Sequence, residues 1–305
     1  MAGGDARPTL FLGVGVVWWC GVWFGSAAGA AEMRVPMGGA KHWDQSGRWI
    51  ELHSGEAFCF QDQPTIWAKY IELADIAHAL SNICRFNGHC REFYSVAQHS
   101  AVCALLAAEA MPKGLDPACG LRVPRGELEL ARWMLLHDAH EAYIGDISAP
   151  LKKWIALGGQ GDSTASQLKG IAREIDSAVE SRFGVLRSTH PDWEKAVKGV
   201  DLAVMKVERR CLMSDRWEWT QLADVPEGVL DGVEITAMGP REARRGFMAV
   251  FDALFGASRG VLSSGDWVGL WEACGLSRVS ESKEGGPGGP PHLDDRPGGG
   301  AGGVA

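Results

Sequence analysis

The sequence contains no C-x-x-C pair, although it holds eight cysteines in 305 residues. Cys20, Cys59, Cys84, Cys90, Cys103, Cys119, Cys211 and Cys274 stand singly, several of them inside apolar runs. That spacing argues against a zinc knuckle or a disulfide scaffold, because thiols so placed act as small core hydrophobes. It fits a reducing compartment. Positive charge is also in short supply: 30 Lys and Arg stand against 38 Asp and Glu, for a net charge of -8. Polymeric nucleic acid is gripped mainly by clustered cations, so the acidic balance argues against that partner. A small phosphorylated ligand held by one or two arginines stays open. Alternating strand patterns are scarce, and no internal repeat is visible.

Charge is missing altogether from Thr9 to Ala31, "TLFLGVGVVWWCGVWFGSAAGAA". A helix needs about 20 apolar residues to cross a bilayer, and this run is long enough. It follows Arg7 and ends in small residues of the kind found at signal-peptidase sites. Three readings compete: a secretory signal, a membrane anchor, or a mis-called start, with Met33 or Met37 opening a shorter chain. At the other end, "SKEGGPGGPPHLDDRPGGGAGGVA" is Gly and Pro with little to fill a core, which predicts disorder. His292 lies in that tail and is expected to be solvated. With 46% hydrophobic residues the rest supports one sizeable domain. The expected organisation is an apolar extension over 1–41, a globular body over 42–257, an unassigned segment over 258–279 and a disordered tail over 280–305.

What is present in the body is helical periodicity. "SVAQHSAVCALLAAEAM" opens on Ser95 with Gln98 three residues on, a capping box. A second helix is predicted from about Glu127 to Ile144. A third, with Pro191 near its first turn, runs to about Met213. "QLKGIAREIDSAVESRFG" ends on Gly184, a C-cap residue, and "ELADIAHALSNICRF" is a fifth helix. The predicted fold class is all-α, a helical bundle.

The apolar stripes of three of these helices share one defect. The first carries Val96, His99, Cys103, Leu106 and Ala110 at three-four spacing. The second carries Leu130, Met134, His137, Glu141 and Ile144. The third carries Val197, Asp201, Val204 and Cys211, with Val200 and Val207 beside them. Each stripe places an ionisable group where a core residue belongs. A buried charge costs several kcal/mol, roughly, unless it is paired or bound to a metal. Taken singly, His99 reads as a hydrogen-bonded core histidine and Asp201 as the partner of an arginine. Adjacent His137 and Asp138 on an apolar helix are harder to place that way. A shared cause is one divalent cation held by His99, His137, Asp138 and Asp201. Two imidazoles, two carboxylates and no thiolate suit Mn, Co, Fe, Ni, Zn or Mg alike. The zinc-protease motif H-E-x-x-H is absent, since His137 and His140 are three apart, and His140 is expected off the site.

The order His99, His137-Asp138, Asp201 resembles the H…HD…D signature of the HD-domain metal-dependent phosphohydrolases. "HALSNICRFNGHCREFYSVAQHS" and "LLHDAHEAYIGDISAPLK" are most similar to its bacterial 5'-deoxynucleotidase branch and that branch's prophage-borne relatives. The resemblance covers about Ile76 to Met213. It implies an HD helical bundle with one divalent metal on the four motif residues. It implies catalytic roles for Glu141 and Asp146, the first with the attacking water and the second with the leaving 5'-oxygen. It places Arg85 on phosphate and Phe86 beside the sugar, where relatives carry tryptophan; Arg91 and Lys152 follow as further substrate-binding candidates. His78 and His89 are read as structural, and Trp217 and Trp219 receive no role. The implied activity is cleavage of (deoxy)nucleoside 5'-monophosphates to nucleoside and phosphate. Hydrolysis of a nucleoside triphosphate or alarmone, or a non-catalytic metal- and nucleotide-binding module, are the alternatives. The resemblance further implies a homodimer in the cytoplasm, which favours the mis-called start over an exported or anchored chain.

Overall fold

The computed structural model describes residues 47–113, 128–157, 162–185, 193–214, 216–228, 230–256 and 264–279. The expectations for the apolar extension, the Gly/Pro tail, Cys20, Cys119 and His292 lie outside the described residues. The described residues open with a hairpin, β1 (Trp49–Glu51) and β2 (Ala57–Cys59), paired antiparallel with Ile50 opposite Phe58. Then come α1 (Pro64–Tyr70), α2 (Leu73–Asn82), α3 (Val96–Lys113), α4 (Glu129–Leu136) and α5 (Glu141–Ile144). These are followed by α6 (Ala149–Leu157), α7 (Asp162–Phe183) and α8 (Trp193–Leu212). A second antiparallel pair joins β3 (Val233–Ile235) to β4 (Leu276–Arg278) across α9 (Pro240–Phe255) and α10 (Ser264–Ala273). The architecture is mostly helical, as the periodicity predicts. Among the described residues no helix is long and apolar enough to cross a membrane.

Helix α3 is the hub. Every residue from Tyr94 to Ala108 is buried. Its alanines leave room for close approach, and it packs against α2, α4, α8, α9 and α10. A helix enclosed on all sides has no solvent face for a charge. His99, in its first turns, is therefore fully buried. Cys59, Cys84, Cys90, Cys103, Cys211 and Cys274 are free thiols, as their isolated spacing implies.

Two local expectations need correction, and one unassigned segment gains a place in the fold. Ser95 Oγ does accept from the Gln98 amide at 3.2 Å, but the Gln98 side chain does not return to complete a capping box. Instead its amide nitrogen donates to the carbonyls of Thr236 (2.7 Å) and Cys274 (3.0 Å), and its oxygen accepts from the Met238 amide (3.0 Å). Gln98 thus ties α3 to the β3–β4 layer. Gln98→Ala strands these backbone groups and is expected to cost about 2–3 kcal/mol in urea unfolding; a loss below about 0.5 kcal/mol would contradict the assignment. Second, the helix predicted over 127–144 is interrupted. His137 and His140 keep helical dihedrals, but the turn between them switches to three-residue hydrogen bonds, such as Ala139 to Leu136 (3.0 Å) and Glu141 to Asp138 (2.9 Å). The segment left unassigned over 258–279 contains α10 and β4, which pack on the body. The carbonyl of Ala273 lies so close to Gly246 of α9 that a Cβ there would sit 2.7 Å from it. Gly184, at φ +71°, follows α7 as the sequence predicts.

Candidate metal centre

The tightened turn after α4 carries His137 and Asp138 toward α3 and α8. Nitrogens of His99 and His137 and an oxygen of Asp201 lie within 4.8 Å of one another. Asp138 Oδ2 joins them, 3.2 Å from His137 Nε2 and 3.8 Å from His99 Nε2. Asp201 Oδ1 is 3.5 Å from His99 Nε2, while its Oδ2 is held by Lys198 at 2.7 Å. The four residues predicted as ligands therefore converge.

The donor atoms are also correctly presented. The second nitrogen of each imidazole is already occupied: His137 Nδ1 donates to the Met134 carbonyl at 2.7 Å, and His99 Nδ1 meets Glu208 Oε1 at 2.6 Å. Both rings thus turn Nε2 toward the carboxylates, the arrangement that metal-binding histidines use. His137 Nε2 is buried and makes no hydrogen bond. Burial and the nearby Arg85 guanidinium disfavour an imidazolium at His99, yet Cys103, the Glu208 carboxylate and the hydrogen bond to Asp201 raise its pKa well above the usual histidine range. Burial likewise opposes the charge on Asp138, but His137 and His99 hold its pKa well below the usual carboxylate range. Asp201 is also depressed, against burial, by His99 and then Lys198. The proton on His99 helps balance these carboxylates, and a divalent cation would take over that role as it leaves. The residues fit such an ion.

Around this cluster sit the other predicted residues. Glu141 is buried in the first turn of α5, and its Oε2 has no partner. Burial, with Asp138 and Asp146 adding repulsion, pushes its pKa up to about 9. Asp146 follows Gly145, whose φ of +77° ends α5 and turns the chain. Its pKa is raised by burial first and by Asp138, with Arg85 opposing. Arg85 is buried beside the cluster; Nη2 donates to Glu208 Oε2 at 3.0 Å, Nη1 is 3.8 Å from Asp138, and Nε is unpartnered. Phe86 holds a left-handed φ of +53°, with the Arg85 guanidinium 5.1 Å from its ring. A non-glycine residue keeps such a backbone only when its surroundings impose it. The Phe86 ring meets Trp219 edge-on at 5.5 Å, which gives that tryptophan a place the sequence did not assign.

Lys152 is exposed on α6, at a range where its charge opposes the rise in both Glu141 and Asp146. Arg91 is not brought in: its side chain is exposed, and its amide donates to Leu212 at the end of α8. His140 pairs with Asp176 of α7 at 3.0 Å, off the cluster as expected. His78 stacks on His53 at 3.7 Å and takes Arg244 at 3.4 Å, a structural placement. His89 is exposed.

No family model matches the sequence. The uncharacterized protein YfdR of Escherichia coli K12 is 34% identical over 207 residues, 68% of this chain and 95% of YfdR. The chain belongs to the YfdR family. An uncharacterized protein of Rhodobacter capsulatus is 30% identical over 208 residues, 66% of this chain and 92% of that protein. Neither name carries an activity, so the chemistry of this family member has to be argued from its site.

Sequence reasoning missed Glu208. It is fully buried, faces both His99 and Arg85, and has the Tyr94 hydroxyl beside it. A signal was available. Positions 197, 201, 204, 208 and 211 form one continuous three-four stripe on α8, so Glu208 repeats the defect already noted at Asp201 two turns earlier.

Proposed function

We propose that the protein is an HD-type, metal-dependent phosphomonoesterase acting on (deoxy)nucleoside 5'-monophosphates. One observation carries the reading: two imidazole Nε2 atoms and two carboxylates converge beside a buried arginine and a buried glutamate whose Oε2 is unpartnered. A stabilising pin would use the four ligands alone. Arg85 and Glu141 are groups that such a pin does not need.

His99, His137, Asp138 and Asp201 would hold the divalent cation, which when bound neutralises phosphate charge and acidifies a water. Arg85 offers its unpartnered Nε to a phosphate oxygen, while Glu208 keeps the guanidinium from swinging away. Glu141 orients the attacking water and accepts its proton; commitment of Asp138 as a ligand weakens one of the repulsions that hold Glu141 protonated. Asp146, its pKa raised by burial, returns a proton to the leaving 5'-oxygen. Phe86 and Trp219 form an aromatic wall on the nucleoside side. The cytoplasm, where such substrates occur, is the compartment this reading favours, with a homodimer as the expected assembly.

The test is the purified protein with Mn or Co and a panel of nucleoside mono- and triphosphates. Nucleoside plus inorganic phosphate is the expected outcome. Tripolyphosphate or pyrophosphate as the product would move the activity to another HD hydrolase class. Stoichiometric metal with no product from any substrate would leave a non-catalytic binding module.

A further inference from the structure

An imidazole can give a metal only one nitrogen, and what the other nitrogen does decides which one and how strongly. The two histidines of this centre are anchored differently. His137 Nδ1 rests on a neutral backbone carbonyl, that of Met134. His99 Nδ1 rests on an anion, Glu208, at 2.6 Å. Glu208 shows no exposed surface, and a carboxylate so placed is costly unless its partners are charged and well aligned. Its second oxygen takes Arg85 Nη2 at 3.0 Å, so the guanidinium is the counter-ion that keeps it in place. Helix α8 therefore delivers two acidic groups from one face: Asp201 to the cluster, and Glu208, two turns on, to the back of His99.

We propose that Glu208 is a positioning residue for the metal centre. It fixes His99 in the orientation and tautomer that present Nε2, and its charge makes His99 the stronger of the two imidazole donors. Cys103 Sγ, 3.5 Å from His99 Nε2, packs against the ring and limits its rotation. This inference rests on the metal-dependent reading of the site, but it assigns a role to a residue outside the ligand set and outside the H…HD…D signature.

The experiment is calorimetric titration of the full chain with Mn²⁺, without substrate, for wild type, Glu208→Gln and Glu208→Asp. Glu208→Gln keeps the shape and removes the charge. Its Mn²⁺ affinity is expected to fall about 10- to 100-fold, with Glu208→Asp between it and wild type. In ¹⁵N-histidine spectra of the metal-free protein, the His99 Nδ1–H signal, shifted far downfield by the short bond to the carboxylate, should be lost in Glu208→Gln. A change confined to folding would not grade affinity with the carboxylate in this way. Wild-type affinity in a folded Glu208→Gln protein overturns the role of Glu208 and leaves the phosphatase reading standing. Should the Gln variant fail to fold, Glu208→Asp decides: affinity equal to wild type overturns the proposal. A wild type that binds no divalent cation removes both readings.

Discussion

Glu141→Gln is expected to lower phosphate release from the best nucleoside monophosphate by about 10²- to 10⁴-fold while Mn²⁺ still binds at one per chain. Glu141 lies one turn after His137 and shares its face, with Oε2 buried and unpartnered. Among the described residues, no hydrogen bond or ion pair joins its side chain to the His99, His137, Asp138 and Asp201 atoms that converge. The substitution keeps volume and hydrogen-bonding reach but cannot accept a proton. The change should therefore appear in kcat, with KM moving little, because an interaction made only in the transition state is lost. Removing a buried acid whose pKa lies near 9 should not harm folding, since the group is already neutral at pH 7 in the metal-free protein. Glu141→Gln with near wild-type turnover would show that the catalytic base lies elsewhere. Lost turnover together with lost metal would make Glu141 part of the ligand set instead.

Arg85→Ala should cost about 3–5 kcal/mol in urea unfolding, the range for removing one partner of a buried ion pair. Glu208 is wholly enclosed, and Arg85 is its cationic partner at 3.0 Å; His99 and Tyr94 are left to stabilise it. A double-mutant cycle tests the cause. Arg85→Ala made in the Glu208→Gln background should be much milder, because no uncompensated charge is then left behind. Additive losses would place the effect in packing of the Arg85 stem. The same variant is expected to raise KM for nucleotides through loss of the phosphate contact, so stability and binding report on two ends of one guanidinium.

The candidate ligand set was legible because burial and charge conflict in a way that sequence periodicity exposes. His99, His137 and Asp201 each occupy a core position of an otherwise apolar stripe, and the structure brings all three together with Asp138. Glu141 was legible for the same reason. Glu208 occupies an equivalent place on α8, but in a stripe that already contains Asp201 a second acid only repeats that signal. Arg91 illustrates the opposite case. It lies near Arg85 in sequence, but the left-handed residues Phe86 and Asn87 and then Gly88 turn the chain, and its side chain ends in solvent. Proximity along a loop says little about direction, since a few dihedrals redirect everything that follows.

Sequence alone specifies the helical class, the order of the candidate ligands and the chemistry of the donors they would offer. Those follow from a 3.6-residue period and from the cost of burying charge, both of which are local properties. Folding in three dimensions was needed to send the Gln98 side chain from its own helix to Thr236, Met238 and Cys274, to pair β3 with β4 beyond two intervening helices, and to set one carboxylate against both His99 and Arg85. Each depends on contacts between residues more than a hundred positions apart or on pairing across long connections. No periodicity encodes such contacts; they are set by which faces remain apolar once the helices have packed around α3.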